Sequence, residues 1–139
     1  MVDLGLEFEA PAAHVAWQSE FDSAPDAAIP FRVQVVIFHT VEQLREATGR
    51  EGAYGVSMTW AEASADEVGA CILLAKPHLE LSILAHEVGH VALFAHGHRV
   101  GRGGAKRWLS EHPESVVDMI GNLTAVVWYG MPTEEDIDG

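Results

Sequence analysis

Pro77-His78-Leu79-Glu80-Leu81-Ser82-Ile83-Leu84-Ala85-His86-Glu87-Val88-Gly89-His90-Val91-Ala92-Leu93-Phe94-Ala95-His96-Gly97 is the stretch on which the fold turns. Pro77 suits a first helical turn, Glu80 sits where the helix dipole favours an acid, and Gly97 has the form of a left-handed stop. The spacing therefore predicts one helix over residues 77–97. Leu84, Val88, Val91 and Ala95 recur at helical spacing and form an apolar stripe that buries one face. His86 and His90, four positions apart, share another face, with Glu87 one step round from them.

Outward from this helix the chain alternates strand and helix signals. Downstream, residues 111–129 read as a second long helix, with Pro113 in its first turn and Gly130 then Pro132 ending it. Upstream, residues 54–60 and 70–75 read as two strands with the polar residues 64–67 as their hairpin connection, which makes them antiparallel. Residues 31–38, rich in Val and Ile, read as a buried strand. Thr40-Val41-Glu42-Gln43 has the form of a capping box, and Gly49 closes the short helix it opens. Residues 12–21 are expected to form a further short helix. The order predicts a small α+β domain over residues 1–132, with helices packed on a largely antiparallel sheet. The acidic residues 133–139 are expected to fray as a tail.

The 139 residues suffice for one domain with a real core. With 48% hydrophobic and 21% charged residues, the balance is that of an ordered globular chain. A formal net charge of −13 disfavours nucleic-acid phosphates as partners. The apolar stretch at 116–128 is interrupted by Asp118 and Asn122 and falls short of the ~20 residues that cross a bilayer, so no membrane partner is expected. The acidic start does not read as a signal peptide, and Cys71, the single cysteine, allows no intramolecular disulfide; both point to the cytoplasm. Arg99, Arg102, Lys106 and Arg107 gather in a glycine-rich stretch between the two long helices, a local basic loop in an acidic chain.

His86-Glu87-Val88-Gly89-His90 spells H-E-x-x-H. On a helix the two histidines can offer ring nitrogens to one ion while Glu87 reaches a water beside it. Zinc with three protein ligands keeps a fourth position and lowers the pKa of a bound water toward ~7, and a carboxylate such as Glu87 is then the general base. Four residues compete to complete the ligand set. His96 has the spacing of a longer histidine motif, but Leu93 stands where that motif needs glycine, and a continuing helix carries His96 ~15 Å beyond His86. Glu114 is favoured, because Glu114, Asp118, Gly121 and Ala125 share one face of the second long helix, and inward-facing acids there need a cation or donors. Glu111 is a substitute for Glu114, and Cys71 is the upstream alternative.

His86-Glu87-x-x-His90 followed by Glu114-x-x-x-Asp118 resembles the gluzincin, or thermolysin-like, zinc metallopeptidases, and in particular their minimal stand-alone bacterial and phage versions. The resemblance covers residues 77–129. It implies a zincin-like fold, Zn2+ as cofactor, and His86, His90 and Glu114 as ligands. It further implies Glu87 as catalytic base, Asp118 as the support of a ligand histidine, and peptide-bond hydrolysis on a peptide or protein substrate. It also implies that the strand at 70–75 is the edge that pairs with an extended peptide. The family's downstream transition-state donor has no match in this chain; His112, Tyr129 or an arginine of the basic loop could take its place. Two other readings stand beside this one. A deformylase-like or metzincin-like hydrolase would use Cys71 or His96 as third ligand, and a zinc-stabilised binding or regulatory module would keep the ligands without turnover.

Overall fold

The structure is a computed structural model that describes residues 2–3, 9–23, 31–60, 68–100 and 113–138. Within these ranges side chains are described except at 2–3, 60, 68, 96–100, 113–115 and 138. In chain order the elements are β1 (Val2–Asp3), β2 (Glu9–Ala10), β3 (Val15–Asp22), β4 (Phe31–Phe38) and α1 (Val41–Thr48). They are followed by β5 (Gly55–Trp60), β6 (Val68–Ala75), α2 (Leu81–Val100), α3 (Pro113–Gly130) and α4 (Glu134–Asp138). β1 and β2 pair antiparallel with each other, and the main sheet has the order β3-β4-β6-β5. Two of its three pairings are antiparallel and β4–β6 is parallel, so the fold is the small α+β domain expected.

β4 and β6 lie in the middle of the sheet; β6 from Ala70 and the second half of β4, Val35–Phe38, are apolar on both faces, as segments covered on two sides must be, while Arg32 and Gln34 mark the uncovered start of β4. Val33, Val35, Ile37, Ala70, Ile72 and Leu74 point to one face, where α2 supplies Leu84, Val88, Val91 and Ala95 and α3 supplies Met119, Leu123 and Val127. Val36, Phe38, Cys71, Leu73 and Ala75 point to the other, against Leu44 of α1. The sheet thus separates α1 from the α2–α3 layer, and every side chain on the Cys71 face looks away from the motif helix.

α1 begins as its sequence predicts. The Thr40 hydroxyl accepts from the Gln43 amide at 3.2 Å, the Gln43 side chain accepts from the Thr40 amide at 3.1 Å, and Gly49 closes the helix at φ 69°.

Four expectations are corrected. Residues 15–22 form strand β3 instead of a helix: Trp17 and Phe21 are half-buried and pack against the core while Gln18, Glu20 and Asp22 are exposed, a period of two that Ala12, Ala13 and Ala16 disguise. The motif helix begins at Leu81, after a 3-10 turn over Lys76–His78, and runs through Gly97 to Val100 without a stop there. The tail holds α4, opened by a reciprocal pair in which the Thr133 amide donates to Asp136 (3.1 Å) and the Asp136 amide to the Thr133 hydroxyl (3.3 Å). Donation from the Thr133 amide, and then from the Thr133 hydroxyl, holds the Asp136 carboxyl below its usual pKa, and Ile137 packs on the core. Finally, β6 is internal; the edge strand on the motif side is β5.

Among the described residues, no helix is long and apolar enough to cross a membrane.

Candidate metal centre

α2 lies with its apolar stripe on the sheet, which leaves the His86–His90 face open to solvent. Glu87 is one step round toward β5 and is only 5% exposed. Its Oε1 accepts a long hydrogen bond from the Ser57 hydroxyl at 3.4 Å. Gly55 sits at the other side of the same carboxyl: a Cβ there would stand 2.9 Å from Ile83 Cγ2, 3.3 Å from Glu87 Cγ and 3.6 Å from Glu87 Oε2. Strand and helix approach this closely only because residue 55 has no side chain. Gly55→Ala is expected to cost about 1–3 kcal/mol, as overpacked sites do, read as a lower urea midpoint. An unchanged midpoint would show that the strand is free to retreat.

The His86 and His90 rings meet edge to face, with centroids 4.8 Å apart and Nε2 atoms 3.2 Å apart. Two imidazole nitrogens each about 2.0–2.1 Å from one tetrahedral zinc stand about 3.3 Å from each other, so the pair is already set at the edge of such a coordination shell. A Glu87 oxygen lies with both nitrogens inside a 4.8 Å span. Nitrogen donors, a neighbouring carboxylate and an open side fit a zinc-type ion better than a hard cation that takes only oxygen. His86, Glu87 and His90 can therefore hold a metal ion.

A cleft of about 550 Å³ opens over these residues. Ser82 and Ile83 of α2 line it from one side, and Arg50, Ala53, Tyr54, Gly55 and Ser57 from the other. The second group comes from the turn after α1 and from β5, and nothing in the local sequence marks it for the site. Tyr54 is held on two sides, by the Arg45 guanidinium 5.1 Å over its ring and by the His78 ring edge to face at 4.7 Å.

The remaining candidates fall into three groups. Cys71 is buried on the α1 face of the sheet, so the sheet itself stands between it and the motif histidines, and it is not a ligand. Tyr129 is 86% exposed near the end of α3 and does not line the cleft, which removes it as a donor there. Asp118 is exposed and, among the described residues, makes no hydrogen bond to either histidine. Asp118, Gly121 and Ala125 of that row are exposed, away from the buried Met119–Leu123–Val127 stripe, and a Cβ on Gly121 would meet open space, so no close helix approach occurs there. Glu114 lies in the first turn of α3 and His96 on α2, but their side chains are outside the described residues, as are Glu111, His112, Arg102, Lys106, Arg107 and the side chain of Arg99. The unbroken path of α2 places the His96 backbone ~15 Å along the axis from His86.

Compared with known proteins, the chain matches no protein-family model, no curated protein and no solved structure, so its resemblance to the gluzincins rests on the motif residues themselves.

Proposed function

We propose that this protein is a zinc-dependent hydrolase acting on peptide bonds, with His86 and His90 as ligands and Glu87 as general base; the resemblance to the gluzincins alone supports Glu114 as the third ligand. The observation that carries the reading is the paired geometry of the site: two histidine nitrogens at a zinc edge distance beside a nearly buried carboxylate, under an open cleft. A zinc ion bound there would polarise the scissile carbonyl and make water reactive at neutral pH. Glu87 takes the proton from the attacking water and passes it to the leaving amine. Ser57 holds one of its oxygens, which leaves the other to face the reacting water. Among the described residues β5 is a sheet edge beside the cleft, and an extended peptide pairing with it would run past the histidines.

The reading is tested by metal removal. Dialysis against 1,10-phenanthroline is expected to abolish hydrolysis of a mixed peptide pool, followed by mass spectrometry, and one equivalent of Zn2+ is expected to restore it. Cleavage that persists in the metal-free protein would overturn the assignment. Zinc bound at one equivalent without cleavage would favour a metal-stabilised binding module.

A further inference from the structure

The wall of the cleft opposite the motif helix carries a positive charge, in a chain whose formal net charge is −13. Arg50 lines that wall, and Glu87, nearly buried and bonded to Ser57, is the single acid among the cleft-lining residues. The turn that presents Arg50 is built firmly. Gly49 and Gly52 bracket it with φ of 69° and 80°, values that side-chain-bearing residues rarely adopt. The Arg50 amide donates to the Thr48 hydroxyl at 3.3 Å, and the Ala53 amide donates to the Arg50 carbonyl at 3.5 Å. Arg45 Nε donates to the Ala53 carbonyl at 3.0 Å, which ties the far end of the turn back to α1. The same Arg45 lies over Tyr54, adding a second cation behind the wall. Among the described residues Arg50 forms no ion pair.

An arginine on a firmly held turn at the cleft wall, without an ion-pair partner among the described residues, is suited to a planar oxyanion, which its forked donors grip in two places. The formal net charge of −13 disfavours free anions over the chain in general, so a cationic side chain at the cleft wall is a place where one can be held. We propose that Arg50 is a specificity-determining residue that seats a carboxylate of the substrate, so that the cleft takes acidic peptides. The inference rests on the peptide-hydrolase reading above. The carboxylate has two possible sources, an acidic side chain near the scissile bond or the C-terminus of the peptide.

Binding separates these sources without relying on turnover. Fluorescein-labelled short peptides identical except for a central Glu, Gln or Lys, each as free acid and as C-terminal amide, are titrated by anisotropy into zinc-loaded Glu87→Gln protein. The same titration is repeated with Arg50→Gln added. The expected result is binding about tenfold or more tighter for the carboxylate-bearing peptides, lost in the Arg50→Gln protein at unchanged zinc content. A preference for central Glu assigns the side chain, and a preference for the free acid assigns the terminus. Equal affinity for all peptides, no binding of any, or a preference that survives Arg50→Gln would overturn the proposal. Cleavage by the wild-type protein is measured in parallel. Acid-selective binding without cleavage would sink the hydrolase reading alone, and unselective binding with cleavage would sink this inference alone.

Discussion

Replacing Glu87 by Gln is expected to leave zinc content unchanged and to lower peptide turnover by about 10²–10⁴-fold, the usual worth of a positioned general base. The substitution keeps the shape of a side chain that is 5% exposed and pressed against Gly55, so it introduces neither a cavity nor a clash. The Ser57 hydroxyl can still donate, now to an amide oxygen. What is lost is the ability to accept and return a proton. Zinc stoichiometry by mass spectrometry and initial rates on the same preparation give the comparison. A parallel fall in zinc and rate would move Glu87 from base to ligand, and an undiminished rate would remove it from the chemistry.

Replacing His90 by Ala is expected to remove zinc itself, and with it both turnover and zinc-dependent stability. An ion that binds the folded chain about a thousandfold above its dissociation constant stabilises it by about 4 kcal/mol. For a domain of this size that raises the melting temperature by on the order of 10 °C. In the wild-type and Glu87→Gln proteins the melting temperature should rise when Zn2+ is added. In the His90→Ala protein it should not, because His86 Nε2 has lost the partner set 3.2 Å away. His90 is exposed, so the metal-free fold should be little affected. A zinc response of full size in His90→Ala would place the ion elsewhere.

The parts of this fold that were legible in the sequence are those whose signal is local. The Thr40–Gln43 capping box, the Val- and Ile-rich run of β4 and the helical stripe of α2 each carry their structure within a few residues. The motif pair His86–His90 belongs to the same class, since helix geometry alone brings the two rings together. β3 was hidden because helix-favouring alanines overlay the alternation of Trp17, Ser19 and Phe21. Which strand forms the sheet edge was not legible either. The β5–β6 hairpin is local, but its docking through β6 onto β4 depends on burial across the whole sheet. The same limit applies to Arg50, Tyr54 and Ser57, whose place at the cleft follows from that docking and from no motif of their own.

The parallel pairing of β4 with β6 gives this arrangement a division of labour. To run parallel to its neighbour, the chain must leave β4 and come back to the same end before entering β6, and here the excursion carries α1, the Arg50 turn and β5. One wall of the cleft is thus supplied by that excursion and the other by α2. The excursion could be lengthened, shortened or recomposed up to Tyr54 while β4, β6 and the motif helix kept their places, with Gly55 and Ser57 as the two points where the exchangeable part must still fit the fixed one. Redesign of what the cleft accepts therefore has a natural address, residues 49–54, that is separate from the residues proposed to perform the chemistry.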